Sequence, residues 1–267
     1  MLHETDKTMQ NTATRIPPQV KLQDFQRDGY ICVDPLLSGP QMVELNDEIA
    51  RFIRDVVPTM PETQVYFEDK SDNTSLKQLQ RMFEHDAHFN DLMLNGVVRD
   101  IAREILQDEV VPVNMQYFNK PAGIGQATPP HQDGYYFHLT PCEAVTGWLA
   151  LEDVDHENGC IHYVRGSHKH YEFRPHGQTG VLGFSQGMTD FGTADDQENT
   201  VAFPGQAGTF LMHHAKTIHW AGANRSATRS RRALGFIYYA KSAKLDLAKR
   251  EAYQRTLDVQ LKQSNKI

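Results

Sequence analysis

The chain has 267 residues, of which 39% are hydrophobic and 23% are charged, and its formal net charge at pH 7 is −7. This composition predicts a globular protein with one fully formed core, and the negative charge disfavours nucleic acid and anionic membranes as partners. No apolar run approaches the roughly eighteen residues that a transmembrane helix needs, so we expect no membrane partner.

The N-terminal segment is polar, contains a Pro17-Pro18 pair and lacks the apolar stretch of a secretory signal. We expect residues 1–20 to be a flexible lead-in and residues 21–267 to form a single domain. The three cysteines include no Cys-X-X-Cys pair, which disfavours disulfides and a cysteine zinc site and favours a reducing compartment. The sequence therefore predicts a cytoplasmic protein.

Two stretches in the first half of the chain show helical spacing. Apolar residues from Met42 to Val56 recur at intervals of mostly three and four, which predicts an amphipathic helix. A second apolar stripe predicts one helix over about residues 89–106. Neither stretch carries a chemical motif, so we interpret both helices as layers packed against a sheet.

From Val110 onward, short strand-like runs follow one another, with turn-forming residues between them. The predicted strands are residues 111–118, 145–154, 160–164, 200–203, 209–212 and 233–239. The run Glu157-Asn158-Gly159 is a strong signal for a hairpin turn, and a polar helix is expected over about residues 243–263. Many short strands without intervening helices predict an antiparallel sandwich or barrel. The fold class is therefore mainly β with helical flanks.

The sharpest chemical signal is the segment Pro129-Pro130-His131-Gln132-Asp133-Gly134. Residues i and i+2 of an extended strand point the same way, so His131 and Asp133 would present an imidazole and a carboxylate to one ion. His219 is our choice for a third ligand. Two imidazoles and one carboxylate on one face leave three positions open, which suits non-haem iron(II) oxygenases, whereas structural zinc is closed by four protein ligands.

A distant third histidine is easily found by chance, because the chain has 13 histidines. The histidines that compete with His219 are His162, His168, His170, His176, His213 and His214. Each of these is more commonly a surface or hydrogen-bonded histidine than a ligand. Arg229, Arg231 and Arg232 follow, and a guanidinium beside an open metal site is suited to a dicarboxylate. Because only one face of a strand looks inward, Arg231 and Arg232 cannot both serve.

Five spaced motifs run in order along the chain. They are Asn119-Lys120-Pro121, Pro130-His131-Gln132-Asp133, Glu157-Asn158-Gly159-Cys160, Gly166-Ser167-His168 and His219-Trp220-Ala221-Gly222-Ala223-Asn224-Arg225-Ser226. Together with Asp28-Gly29-Tyr30 they resemble the phytanoyl-CoA dioxygenase family, from about Phe25 to Tyr239. The resemblance implies a double-stranded β-helix, or jelly roll, and an enzyme that uses iron(II), 2-oxoglutarate and O2, with ascorbate as a candidate reductant.

The resemblance also implies roles for particular residues. Its iron ligands fall on His131, Asp133 and His219, with His131 and Asp133 at the start of one inner strand. The residues that it assigns to 2-oxoglutarate are Lys77, Gln116, Trp148 and Arg231. Lys77 matches only after a one-residue gap. Arg231 lies one residue further from the histidine than expected, so Arg229 stays open.

One position departs from the family pattern. Ala221 stands where many members have a serine that contacts 2-oxoglutarate, and an alanine side chain cannot form a hydrogen bond. Either the co-substrate depends more on Arg231, or a nearby hydroxyl from Thr209 or Thr217 replaces the serine.

The implied reaction is oxidative decarboxylation of 2-oxoglutarate to succinate and CO2, coupled to hydroxylation of an unactivated C–H bond. The residues that suggest the substrate are Tyr135, Tyr136, Phe137 and His138 after the metal motif, and Arg174, His176 and Asp190 in a long loop. Aromatic faces, an acid and cations suit a small zwitterion better than a long acyl-CoA.

The chain also resembles family members that hydroxylate 2-aminoethylphosphonate at C1, a step in phosphonate degradation. Amino acids, quaternary amines and secondary metabolites stay open as substrates. Two other classes of protein stay open as well. One is a metal-containing jelly roll that does not use 2-oxoglutarate, and the other is a non-catalytic binding protein. The oligomeric state is not predicted.

Overall fold

A computed structural model describes residues 16–170, 172–181 and 184–263, so residues 1–15 of the predicted lead-in lie outside the described part. The helices are α1 (Leu22–Asp28), α2 (Gly39–Asp55), α3 (Ala87–Asn95), α4 (Val97–Leu106), α5 (Gly134–Phe137), α6 (Ala194–Asn199) and α7 (Leu247–Gln263). In the described ranges, no helix combines the length and the apolar character needed to cross a bilayer.

Most of the strands are short, as the sequence predicts. They are β1 (Tyr30–Val33), β2 (Val65–Phe67), β3 (Leu76–Leu79), β4 (Val110–Lys120), β5 (Thr128–His131), β6 (Leu139–Thr140), β7 (Ala144–Ala150), β8 (Ile161–Val164), β9 (His176–Val181), β10 (Phe184–Met188), β11 (Thr200–Phe203), β12 (Phe210–His214), β13 (His219–Ala221), β14 (Arg231–Ala240) and β15 (Lys244–Leu245).

Two antiparallel sheets form the body of the protein. The larger has seven strands in the order β1-β12-β7-β14-β4-β3-β2, and the smaller has four in the order β11-β8-β13-β5. Side chains from both sheets meet between them, where Tyr30 of β1 stacks on Tyr163 of β8 with ring centroids 4.8 Å apart. Two further pairs, β9 with β10 and β6 with β15, flank the sheets. This architecture confirms the predicted jelly roll with helical flanks.

The seven-stranded sheet is covered on both faces. In β14, Leu234 and Phe236 belong to a core that also contains the buried stripe of α2, whereas Arg231 and Ile237 face the space between the sheets. Because both faces are buried, β14 shows no polar alternation. The predicted stripe on α2 is confirmed, since Met42 and the apolar residues that follow it are buried there.

The predicted helix over residues 89–106 is wrong in one respect, because α3 and α4 are separate helices. Gly96 lies between them with φ −77° and ψ 162°, an extended conformation that ends one helix and begins the next. A Cβ at this position would lie 2.3 Å from the Leu92 carbonyl oxygen. Glycine is the weakest helix former after proline, and here it also permits a close backbone approach.

The predicted hairpin at Glu157-Asn158-Gly159 is also wrong. This turn joins β7 to β8, which belong to different sheets, so the chain crosses from one layer to the other. The Asp155 carboxylate accepts hydrogen bonds from the backbone N–H groups of Glu157 and Asn158, at 2.9 and 3.1 Å. Gly159 has φ +92°, and a Cβ there would lie 2.5 Å from the Gly222 carbonyl oxygen. The glycine in the sequence indicates a turn, but it does not show whether the strands on either side pair with each other.

Candidate metal centre and active site

The three predicted iron ligands meet in the structure. His131 ends β5 and His219 begins β13, and the two residues are paired in register across the small sheet. The Asp133 Oδ1 atom lies 3.4 Å from Nε2 of His131 and 3.6 Å from Nε2 of His219. Two imidazole nitrogens and one carboxylate oxygen therefore converge on one point, and the donor set suits iron(II).

Asp133 reaches this point by a route that the sequence does not predict. It has φ −55° and ψ −37°, a helical conformation, so His131 and Asp133 do not share one strand and His131 ends its strand rather than starting it. The chain turns directly into α5, and the turn is held by a hydrogen bond of 2.8 Å from the Gly134 N–H to the Ala215 carbonyl. The i, i+2 argument for a strand is therefore wrong, although the two side chains do meet.

Both histidine rings are oriented by backbone carbonyls. Nδ1 of His131 lies 2.8 Å from the Pro129 carbonyl oxygen, and Nδ1 of His219 lies 3.0 Å from that of Thr217. Because a carbonyl can only accept, each Nδ1 carries the proton and each Nε2 keeps its lone pair for an ion. Burial, reinforced by the neighbouring His131 and His213, holds the pKa of His219 well below its ordinary value, so the ring stays neutral.

A further histidine, His213 of β12, fixes the other oxygen of Asp133. Its Nε2 lies 3.1 Å from Asp133 Oδ2, and its Nδ1 lies 2.8 Å from the Tyr163 hydroxyl. A carboxylate accepts, so Nε2–H donates to Oδ2 and Nδ1 accepts from Tyr163. The Thr146 hydroxyl donates to the same Oδ2 at 2.6 Å. These two donors leave Oδ1 free to face the two histidines.

Burial would raise the pKa of Asp133, but the electrostatic interactions of its carboxylate with the imidazoles of His219, His131 and His213 outweigh burial and hold the pKa well below its usual range. The sequence treats His213 only as a competing ligand. The alternation of side chains along β12 directs His213 inward in the structure, but no sequence motif marks this position. Of the other competitors, His170 is exposed, and His168 and His214 lie beside Phe25.

Arg231 is a buried cation at one end of the cavity. It is 4% exposed, and its guanidinium carbon lies 5.5 Å from the ring centroid of Trp148. Burial lowers the pKa of Arg231 to about 10, so it remains charged at neutral pH. Within the described ranges its Nε has no hydrogen-bond partner. A buried guanidinium with an unused donor suits a carboxylate ligand.

Lys77 and Gln116 line the same cavity. Lys77 is buried in β3, and its Nζ lies 2.9 Å from Glu68 Oε1. Lys120 of β4 also lines the cavity. It belongs to the motif Asn119-Lys120-Pro121, and the sequence predicts no role for it. Its Nζ donates to the Gly222 carbonyl at 2.5 Å, and burial, with Arg231 and Lys77 nearby, lowers its pKa well below the ordinary value. Lys77 is paired with Glu68 and Arg231 remains charged, so this end of the cavity is cationic because of Arg231.

The other two arginines lie elsewhere. Arg229 Nη2 contacts Asp155 Oδ2 at 2.8 Å and Glu157 Oε2 at 2.5 Å, so its charge is used at the turn between the sheets. Arg232 Nε contacts Glu152 Oε2 at 3.0 Å on the face of β14 opposite to Arg231. Of the three arginines, Arg231 is the one that lines the cavity.

The two threonines suggested as substitutes for the missing serine are wrong. The Thr209 hydroxyl donates to Asp34 at 2.9 Å, and the Thr217 hydroxyl donates to the Gly29 carbonyl at 2.8 Å. Neither lines the cavity. Thr128 of β5 does, and it is the register partner of Ala221. Residues opposite each other in an antiparallel pair project to the same face, so Thr128 offers a hydroxyl beside the position of the serine.

The cavity that contains these groups has a volume of about 240 Å³. The other end of the cavity, which lies beside Ile237 and is called the mouth below, is aromatic, with Tyr136 and Phe137 of α5 and Tyr253 of α7. The Tyr136 and Tyr253 rings lie 5.9 Å apart. The predicted polar helix at the C-terminus therefore contributes a side chain to the cavity.

The predicted substrate residues of the long loop are engaged with one another. Arg174 contacts Asp190 at 3.2 Å and Asp196 at 2.6 Å. His176 stacks on Tyr135 with ring centroids 4.1 Å apart. None of these side chains lines the cavity, so the expectation that this loop supplies the charges for a zwitterion is wrong. The loop is a β9–β10 hairpin that its own ion pairs hold in place.

The jelly roll and its cluster of two histidines and one carboxylate are the features of an iron(II) oxygenase with open coordination positions. The sequence profile of the phytanoyl-CoA dioxygenase family matches residues 25–233. The chain belongs to this family of iron- and 2-oxoglutarate-dependent dioxygenases, and it is an enzyme. Membership decides against the two alternative classes, the non-2-oxoglutarate jelly roll and the non-catalytic binding protein.

Individual proteins show the same relationship. The phytanoyl-CoA dioxygenase domain-containing protein 1 homolog of Caenorhabditis elegans is 26% identical over 248 residues, which cover 76% of this chain and 85% of the relative. The probable alpha-ketoglutarate-dependent hypophosphite dioxygenase of Stutzerimonas stutzeri is 22% identical, covering 78% and 74%. The structure of EctD from S. alaskensis with bound iron has the same fold, with a TM-score of 0.72 at 19% identity over 90% of this chain and 82% of EctD.

Proposed function

We propose that this protein is an iron(II)- and 2-oxoglutarate-dependent hydroxylase whose iron is held by His131, Asp133 and His219. The observation that carries the proposal is the convergence of two unprotonated Nε2 atoms and one carboxylate oxygen at the wall of an open cavity. The three side chains occupy one side of the site, which leaves positions for 2-oxoglutarate and O2. When bound, iron(II) supplies the activation of O2 that protein side chains cannot perform.

The co-substrate would bind at the cationic end. 2-Oxoglutarate carries two carboxylates, and the Arg231 guanidinium is suited to the one that does not reach the iron. Lys77 and Gln116 line the same end, and the ring of Trp148 lies against the Arg231 guanidinium. Thr128 supplies the hydroxyl that Ala221 lacks. These assignments follow from the burial of the cations and from their place in the cavity.

The proposed reaction is balanced. A substrate C–H bond, 2-oxoglutarate and O2 give an alcohol, succinate and CO2, with one oxygen atom in the alcohol and the other in the new carboxylate of succinate. The residues of the chain hold the reactants in place and limit the access of water. The aromatic rings of Tyr136, Phe137 and Tyr253 at the mouth would limit the access of water.

The substrate that we propose is a small polar or zwitterionic metabolite, with 2-aminoethylphosphonate, hydroxylated at C1, as the leading candidate. A cavity of about 240 Å³ that also receives 2-oxoglutarate leaves little room for a long acyl chain. Glu68 and Lys77 place both signs of charge on its wall. One relative is named a probable hypophosphite dioxygenase, which favours a phosphorus compound.

A quaternary amine is the second candidate, because Tyr136, Phe137 and Tyr253 could surround an alkylammonium group through cation–π contacts. Amino acids are a third. Succinate release in the presence of iron(II) and 2-oxoglutarate should be measured with 2-aminoethylphosphonate, hypophosphite, betaines and amino acids in parallel. We expect stimulation above the substrate-free rate by the aminophosphonate, together with a hydroxylated product in the mass spectrum. Stimulation by a betaine alone would transfer the proposal to the second candidate.

We further propose that residues 21–267 form one domain that acts in the cytoplasm. Elements from α1 to α7 contribute to the same two sheets and their covering layers, and one cavity is lined by residues from Tyr66 to Tyr253. The three cysteines are free thiols. Limited proteolysis should leave a resistant core that spans this range.

A further inference from the structure

A second cluster of metal-binding side chains lies outside the catalytic cavity. It consists of His156, Cys160 and His162, whose ligand atoms all lie within 4.8 Å of one another. His156 Nδ1 is 3.8 Å from Cys160 Sγ. None of the three residues lines the cavity that holds the iron ligands. The absence of a Cys-X-X-Cys pair argued against such a site, but the turn between the sheets brings one cysteine between two histidines.

The cluster lies on the far side of the small sheet from the iron ligands. In β8, Ile161 lines the cavity and Tyr163 contacts His213, so alternation directs His162 to the opposite face. There the imidazole stacks on Trp220, with ring centroids 3.8 Å apart and an angle of 7° between the planes. The stacking fixes the ring, and its Nδ1 is buried without a hydrogen-bond partner in the described structure.

The donor set determines the kind of ion. One thiolate and two imidazoles are soft and intermediate ligands, which select zinc and related ions rather than magnesium or calcium. With Zn–S near 2.3 Å and Zn–N near 2.0–2.1 Å, two ligand atoms on a tetrahedral ion lie about 3.5 Å apart. The 3.8 Å between His156 and Cys160 therefore needs little movement. The exposed side chain of His156 gives an ion access to the buried thiol.

We propose that His156, Cys160 and His162 form a second metal site that binds a thiophilic divalent ion of the zinc class, with water as the fourth ligand. It is separate from the iron centre, which contains no sulfur. The thiol must lose its proton when the ion binds. Binding should therefore release a proton and become tighter as the pH rises.

Cobalt(II) tests the proposal, because a cobalt–thiolate bond gives a near-ultraviolet charge-transfer band that nitrogen and oxygen ligands do not produce. The full chain, freed of metal with a chelator, should show this band with an endpoint of one thiolate-bound cobalt per chain, and zinc should remove it. Cys160→Ser should abolish the band. Cys142→Ser is the matched control, since Cys142 is half-buried and outside the cluster, and it should leave the band unchanged.

Two more variants keep the test decisive if Cys160→Ser fails to fold. His156→Gln alters an exposed side chain and should weaken cobalt binding while the melting temperature stays the same. Asp133→Ala removes an iron ligand and should leave the thiolate band intact, which separates this proposal from the catalytic one. An absent band in the wild-type chain, or a band that persists in Cys160→Ser, would overturn the second site.

Discussion

The two ends of the catalytic cavity are built from different kinds of structure. The co-substrate end is formed by long strands of the seven-stranded sheet, where Trp148 is paired with Leu211 on one side and Gly235 on the other. The mouth is formed by the one-turn helix α5 and the C-terminal helix α7, which contribute Tyr136 and Tyr253. Two neighbouring strands fix a side chain more firmly than one helical turn does.

This difference corresponds to a division of labour. Iron and 2-oxoglutarate are the cofactor and co-substrate of the family, so the groups proposed to hold them can belong to a rigid sheet. Substrates differ between members, and side chains on short helices and loops can change without disturbing the sheet. Substitutions at the rigid end should therefore affect every substrate alike, and substitutions at the mouth should affect one substrate more than another.

The largest effect should come from the metal ligands, at the boundary between the two ends. Asp133→Ala removes the only carboxylate of the triad, so iron(II) binding and 2-oxoglutarate turnover should fall to background with every substrate; His131→Ala should do the same. Iron content and succinate release are the measurements. Asp47→Ala, an exposed carboxylate on α2, is the control and should behave as wild type. Full succinate production by Asp133→Ala would contradict the assignment.

The second effect distinguishes the arginines. Arg231→Met keeps an apolar stem beside Trp148 but removes the charge, so the KM for 2-oxoglutarate should rise by about 30- to 150-fold, the equivalent of about 2–3 kcal/mol for a charge-assisted hydrogen-bonded pair. Arg229→Met should leave that KM nearly unchanged, because Arg229 is engaged with Asp155 and Glu157. Unchanged iron affinity and melting temperature would show that both variants fold. The reverse order of effects would make Arg229 the co-substrate residue.

The third effect concerns His213, which donates a hydrogen bond to the proposed metal ligand Asp133. His213→Phe keeps a ring of similar size but removes the donor to Asp133 Oδ2, so iron(II) affinity should fall by about 10- to 100-fold, as is typical when an outer partner of a ligand is lost. More 2-oxoglutarate should also be consumed per product formed. Tyr163→Phe removes only the hydroxyl behind His213 and should have a smaller effect. Replacing the exposed His170 by Gln is the control; equal iron affinity in His213→Phe and wild type would reject the role.

The rigid end is also the part that the sequence predicts well. Of the six strands expected after Val110, five lie within two residues of β4, β8, β11, β12 and β14, because alternation and turn residues mark them. The sixth, expected over residues 145–154, runs four residues beyond the end of β7. The ordered motifs predicted the three side chains that meet at the candidate metal centre, His131, Asp133 and His219. The sequence could not show that Asp133 is helical, since that conformation depends on a hydrogen bond to Ala215, which is distant in the chain. It also could not show that β7 and β8 lie in different sheets.

Prediction was poorest for contacts between segments that are distant in the chain, for a physical reason. Loop charges such as Arg174 and Asp190 look available in a sequence, but their ion pair forms only when the β9–β10 hairpin brings them together. The contact between His213 and Asp133 was not predicted for a related reason, since nothing in the sequence around β12 shows which of its faces meets the candidate metal centre. Contacts between distant segments decide these cases, and local patterns do not contain them.

The smallest effect is expected at the mouth. It tests most directly whether the mouth and the co-substrate end of the cavity have separate roles. Tyr253→Ala removes a ring that lies 5.9 Å from Tyr136 and lines the cavity, so the substrate KM should rise by about fivefold, the equivalent of about 1 kcal/mol for an aromatic contact. Tyr253→Phe keeps the ring and should restore most of the affinity. The KM for 2-oxoglutarate should not change in either variant, because α7 lies at the other end from Arg231. If Tyr253→Ala raised both KM values equally, the C-terminal helix would support the whole cavity, and the distinction between a rigid co-substrate end and a variable mouth would fail.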